Sequence, residues 1–261
     1  MGSLLSLPFY SSSSSTSTSS STSTSSSTST SSSTSTSSST STSSSTSTTP
    51  YIISIEGNIG SGKSTFVRFL KNQSQFQKQG IIFLQEPVDE WTSITDKEGE
   101  TILTKFYKDQ DKYAFSFQMM AYISRLALLK KTVEENPGAI IITERCLITD
   151  RNVFAKMLYD ENKIDDVNYK IYQNWFDTFY NDFPISKHVY LQTTPETSYE
   201  RVIKRNREGE TIPLEYLRAC HSYHENWLLN EKNNKVITID ANSNETHMKE
   251  WTEKIQKLLE E

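Results

Sequence analysis

Cysteine is scarce in this chain: only Cys146 and Cys220 occur among 261 residues. Two thiols build no disulfide framework, so a reducing compartment, the cytoplasm, is expected. Basic residues are absent from the first 62 positions, Lys63 being the first. Neither an arginine-rich organelle presequence nor a secretory signal is therefore expected. Long apolar runs are missing too, and with them an integral membrane segment. Positive charge is short overall, with 27 Lys and Arg against 32 Asp and Glu, a net of −5. A nucleic-acid partner is therefore not expected, because phosphate backbones call for a basic face. Met1-Gly2-Ser3-Leu4-Leu5-Ser6 fits a minimal N-myristoylation pattern at Gly2, but no basic patch follows to complete an anchor.

What is present divides in two. Every residue from Ser11 to Thr49 is serine or threonine, and Ser-Ser-Ser-Thr-Ser-Thr repeats without error from Ser13 to Thr48. Such a stretch has no apolar group to offset the entropy of ordering its backbone. Residues 1–50 are expected to form a disordered Ser/Thr tail, a tether spanning roughly 35 Å if it behaves as a flexible coil. Residues 51–261 suit one globular domain, and function is expected there.

Tyr51-Ile52-Ile53-Ser54-Ile55 runs straight into Gly57-Asn58-Ile59-Gly60-Ser61-Gly62-Lys63-Ser64, and Thr65 opens a helical pattern. Strand, glycine-rich loop and helix in that order form a phosphate-binding loop. The glycines let backbone N–H groups turn inward around phosphate oxygens, Lys63 reaches the β- and γ-phosphates, and the Ser64 hydroxyl can ligate Mg²⁺.

Short apolar strands alternate with helical patterns beyond it. Strands are predicted at 51–55, 81–85, 139–143, 188–191 and 236–239. Helices are predicted near 63–71, 101–108, 112–132, 150–159, 166–181, 195–206 and 213–229. The pattern predicts an α/β, P-loop NTPase-like three-layer fold with a five-stranded parallel sheet flanked by helices. Ligands in such sheets bind beyond the strands' carboxyl ends, so the polar residues following each strand are the candidates. Glu86 follows the second strand, where a carboxylate can take a proton from an approaching hydroxyl, and Pro87 and Trp91 lie just beyond. Glu144 and Arg145 follow the third strand, with Asp150 and Arg151 after them; Glu144 is placed like the acid that holds Mg²⁺ beside a phosphate loop. An ordinary turn or a strand-end ion pair also fits these residues. Arg201, Lys204, Arg205 and Arg207 gather on a predicted helix, either as a solvated face or as a lid closing over a transferring phosphoryl group. The expected geometry sets the Glu86 carboxylate at one strand tip facing phosphates cradled at the tip of its neighbour.

Glu56 through Thr65, Glu86-Pro87-Val88 with Trp91, Phe117-Gln118, Glu144-Arg145, Asp150-Arg151 and Ile212-Pro213-Leu214-Glu215-Tyr216-Leu217 occur together and in order. This set resembles the deoxynucleoside kinase family, on its deoxycytidine/deoxyguanosine kinase side, across essentially all of 51–261. The resemblance implies transfer of the γ-phosphoryl of Mg-ATP to the 5′-hydroxyl of a deoxynucleoside, and a homodimer. It makes Glu86 the general base, Arg145 the arginine beside it, and Glu144 with Ser64 the Mg²⁺ side. Gln118 matches the glutamine that reads the base edge, with Phe117, Phe154, Trp91 and Ile59 as apolar walls. Tyr107 matches the tyrosine on the sugar 3′-hydroxyl. Arg201, Arg205 and Arg207 match lid arginines, and Asp240-Ala241-Asn242 resembles the loop bordering adenine. A second 3′-hydroxyl ligand falls on Glu210 or on Glu208, because the chain is one residue shorter there than the family pattern.

Arg125 and Asp150 match a pair near the exocyclic edge of the base. The carboxylate accepts from the amine of cytosine or adenine and the guanidinium donates to the guanine carbonyl, whereas thymine suits neither. Preference for deoxycytidine or purine deoxynucleosides over thymidine is expected, with Ala121 leaving room for the base. Three rivals remain. A nucleoside monophosphate kinase needs acceptor-site cations where Glu86 stands. A non-catalytic nucleotide-binding subunit need not keep loop, base and lid together. A regulatory GTPase needs an Asn-Lys-x-Asp motif that is absent from the sequence.

Overall fold

The computed structural model describes residues 49–230, 236–243 and 247–260. The expectations for the Ser/Thr tail up to Thr48 and for Gly2 lie outside the described residues. Five strands, β1 (Tyr51–Glu56), β2 (Ile82–Leu84), β3 (Ile140–Glu144), β4 (Lys187–Gln192) and β5 (Val236–Asp240), form one parallel sheet in the order β2-β3-β1-β4-β5. Alternate side chains of a strand point to opposite faces, and the cores follow that rule. Ile52 and Ile141 point into one core, Ile53, Ile55, Ile142, Val189 and Leu191 into the other.

The first core packs beneath α4 (Ile102–Lys108), α5 (Gln110–Glu135), α7 (Lys156–Asp160), α8 (Asp166–Phe179) and α10 (Leu214–Leu228). The second packs against α1 (Lys63–Lys71), α2 (Ser74–Lys78) and α11 (Met248–Glu260), where Phe66 meets Trp251 edge-on with centroids 5.4 Å apart. Helix starts follow their caps. The Thr101 side chain accepts from the Thr104 N–H at α4, and Asp165 from Val167 and Asn168 at α8. Thr194 caps α9 (Pro195–Arg205), whose first residue is a proline, the place where a missing N–H does no harm. Among the described residues no helix is long and apolar enough to cross a membrane.

Several expectations are corrected. The strand predicted over 81–85 is only three residues long. The helix predicted over 150–159 is instead α6 (Leu147–Thr149), a π-helical turn over Asp150–Ala155, and α7. Three helices were not predicted: α2, α3 (Val88–Ser93) and α11. The strand order corrects one more: β2, which Glu86 follows, is not the neighbour of β1, since β3 lies between them. The carboxylate and the phosphate loop therefore face each other across the tip of β3, which supplies Glu144 and Arg145.

Candidate active site

A cavity of about 1060 Å³ opens at the carboxyl ends of β1, β2 and β3. At one end is the phosphate-binding loop. Gly60 has φ +84°, and a Cβ there would sit 2.4 Å from the Ser198 carbonyl oxygen, so only glycine lets the loop lie this close to α9. Asn58 is buried and locks the loop from behind, donating to Leu217 O at 2.9 Å and accepting from Ile59 N. Lys63 donates to Asn58 O at 2.7 Å and lines the cavity. Burial pushes its ammonium down to about 7; Arg145 adds to the fall and the acids Glu144 and Glu86 oppose it. Ser64 donates to a Glu144 carboxylate oxygen at 2.6 Å, which sets two hard oxygen ligands side by side at the start of α1.

Glu86 and Arg145 stand at the centre. Arg145 has φ +60°, a left-handed conformation uncommon for a residue with a side chain. Its N–H is held by Ile55 O at 3.0 Å, and its guanidinium reaches Glu86 at 2.6 Å and Gly57 O at 3.3 Å while lying over the Phe154 ring. The strained turn thus aims one cation between the phosphate loop and the carboxylate. Arg125 contacts the same Glu86 oxygen at 2.9 Å. Burial works to raise the Glu86 pKa, but Arg145, Arg125 and Lys63 outweigh it and hold the carboxyl well below the usual range. Arg125 is more committed than its sequence position suggested. It also donates to the Asp150 carboxylate at 2.9 Å and to the Glu144 main-chain carbonyl at 2.9 Å, so it ties two cavity carboxylates to the end of β3.

The far end is aromatic. Trp91 is fixed by a 2.8 Å bond from its indole N–H to Ser124, and packs edge-on against Phe117, which stacks on Phe106. Gln118 is buried with its amide oxygen unpartnered among the described residues, and it lines the cavity beside Ala121. A buried acceptor without a partner is rare and reads as a group waiting for a ligand donor. The π-helical turn brings both Asp150 and Phe154 to the cavity wall; such turns recur at functional sites.

Tyr107, Glu210, Arg201, Lys204, Arg205 and Arg207 complete the wall. Burial and Glu210 keep the Tyr107 phenol protonated by raising its pKa. Of the two glutamates left open by the sequence, Glu210 lines the cavity, pairing with Arg205 and, at 3.7 Å, with Arg207; Glu208 is exposed and does not. Arg201 reaches Ser61 O at 3.5 Å and the Asn242 and Ser243 carbonyls.

Some residues named from sequence support the wall rather than form it. Gly57 and Asn58 lie behind it. Asp240, Ala241 and Asn242 do not line the cavity; Ser243 does. Ala241 is buried in the second core, and the Asp240 carboxylate is taken up by the Asn242 N–H and side chain. Arg68, Trp251 and Met248 line the cavity and were not foreseen. Arg68 lies one helical turn beyond Ser64, a spacing that carried the signal.

A family profile described as "Deoxynucleoside kinase" matches residues 53–261. A probable deoxycytidine kinase of fowlpox virus is 35% identical over 195 residues, 73% of this chain and 77% of that one. Human deoxycytidine kinase is 33% identical over 238 residues, covering 80% and 88% of the two chains. Human mitochondrial thymidine kinase 2 is 35% identical over 181 residues, covering 68% and 64%.

Proposed function

For a chain that belongs to the deoxynucleoside kinase family, and so to the ATP-dependent phosphotransferases, we propose that the cavity moves the γ-phosphoryl of ATP to the 5′-hydroxyl of a deoxynucleoside in nucleotide salvage. The observation that carries this is Glu86, an ionised carboxylate in the same cavity as Lys63 with Arg145 aimed between them. The phosphates lie in the loop against Lys63 and backbone N–H groups. Arg201, Arg205 and Arg207 close over the transferring group, and Arg205 also borders adenine. The sugar lies over Phe154, its 3′-hydroxyl on Tyr107 and Glu210, its base between Trp91, Phe117 and Ile59 with Gln118 on the edge.

Arg145 and the lid arginines spread the charge of a loose phosphoryl transition state, and in-line positioning supplies much of the rest. A hydroxyl attacking such a phosphoryl group gives up its proton late, so a carboxylate of low basicity is adequate as acceptor. The paired oxygens of Ser64 and Glu144 suit a hard divalent cation. Mg²⁺ held by Ser64 and Glu144 would supply positive charge to offset that of the phosphates.

Base choice rests on the Arg125–Asp150 pair, which favours deoxycytidine and purine deoxynucleosides over thymidine. Likeness to both deoxycytidine and thymidine kinases leaves that choice to the pocket. A panel of four deoxynucleosides with γ-labelled ATP tests it. Thymidine is expected to show the lowest kcat/KM, and the double variant Arg125→Met/Asp150→Ala to raise thymidine use relative to deoxycytidine. Equal kcat/KM for thymidine and deoxycytidine in the wild type sinks the assignment. A cytoplasmic location agrees with the two buried free thiols. A homodimer has a candidate face in the exposed Ile171 and Trp175 of α8 and Ile123 of α5.

A further inference from the structure

Behind the phosphate loop, outside the cavity, three potential ligands meet in the protein interior. Glu56 ends β1, Cys146 precedes α6 and His188 lies in β4; all three are at most 1% exposed. One ligand atom from each lies within 4.8 Å of the others. The His188 Nδ1 atom is buried without a hydrogen-bond partner among the described residues, and it stands 3.9 Å from a Glu56 carboxylate oxygen. That is too long for a hydrogen bond. Ligand atoms bound tetrahedrally at ~2.0–2.3 Å to one ion lie roughly 3.3–3.8 Å apart, so a small side-chain shift closes the pair onto a cation.

We propose that Glu56, Cys146 and His188 form a structural site for a thiophilic divalent cation, zinc in the first instance. Charge supports the choice. One thiolate and one carboxylate neutralise a dication, and a neutral imidazole adds none, so the filled site buries no net charge. Binding displaces the thiol proton to solvent and leaves His188 Nε2 protonated. The Thr149 hydroxyl donates to Glu56 at 2.7 Å and lies 3.6 Å from Cys146 Sγ, so it holds the carboxylate beside the thiol. Such an ion pins the end of β1 and the start of β4 to the turn after β3, beneath the loop that holds phosphate. The site differs from the Ser64–Glu144 pair, whose ligands are oxygens only.

Cobalt(II) titration of the chelator-treated full chain, without nucleotide, tests this. A cobalt–thiolate charge-transfer band saturating at one ion per chain is expected, together with a zinc-dependent rise in Tm. Cys146→Ser and His188→Ile are each expected to lose the band and the rise, while Cys220→Ser keeps both. Absence of band and Tm shift in the wild type overturns the proposal, as does a band that survives Cys146→Ser. Should one of the two ligand variants fail to fold, the other, with Cys220→Ser as reference, still decides.

Discussion

Lys63 shows how one side chain couples charge to binding. Burial within the loop holds its pKa near 7, against 10.5 for a free lysine. Between those values the unfolded chain carries a proton that the folded chain lacks, so this group makes stability rise with pH across that window. A triphosphate restores the favourable partner and draws the proton back. Calorimetry of ATP binding in buffers of different ionisation enthalpy is expected to show proton uptake at about pH 8 that is absent in Lys63→Met; equal uptake in both contradicts the assignment. At Glu86, the Gln variant keeps an oxygen for Arg125 and Arg145 but cannot take a proton. Nucleoside binding is expected to change little while turnover falls by about two orders of magnitude or more, and full turnover removes Glu86 from the role of base. These residues were legible because each directly follows a strand or belongs to a motif whose spacing fixes its place. The bridge from Arg125 to Glu86, 39 positions apart, was not. Only the fold brings a mid-helix guanidinium to a strand end.

Among the elements, the segment that carries Glu210 depends on a close approach. Gly209 has φ +75°, and a Cβ there would sit 2.1 Å from the Thr104 hydroxyl of α4. Gly209→Ala is expected to push Arg207 and Glu210 off the cavity, raising KM for nucleoside and ATP together. Thr104→Ala in the same chain removes the obstructing oxygen and is expected to recover part of the loss; the absence of any recovery contradicts the contact. Helix α11 was missed although Trp251, Ile255 and Leu258 recur at helical spacing and all are buried in the second core. Trp251→Ala is expected to destabilise the fold by about 3–5 kcal/mol in denaturant unfolding; a loss under ~1 kcal/mol refutes its place in the core. The π-helical turn carried no such mark. Its six residues read as ordinary helix, and the turn packs against α5 and α10.

For the whole molecule, the alternation of apolar strands with helices made the sheet and its layers legible, since period and burial follow from local pattern. Strand order did not follow, because which strands pair is decided by crossovers that sequence spacing leaves free. That order matters to the chemistry. By inserting β3 between β1 and β2, it puts Glu144 and Arg145 between the phosphate loop and Glu86, with cations outnumbering acids along the cavity wall. A cavity of about 1060 Å³ then suits two ligands end to end, one polyanionic and one flat and neutral. The most direct measurement is to offer γ-labelled ATP with deoxycytidine, with deoxycytidine monophosphate, or with water alone, and to identify the labelled product. The account predicts label on the 5′-oxygen of deoxycytidine, with little diphosphate or free phosphate. Label passing chiefly to the monophosphate, or released as phosphate regardless of nucleoside, would contradict it.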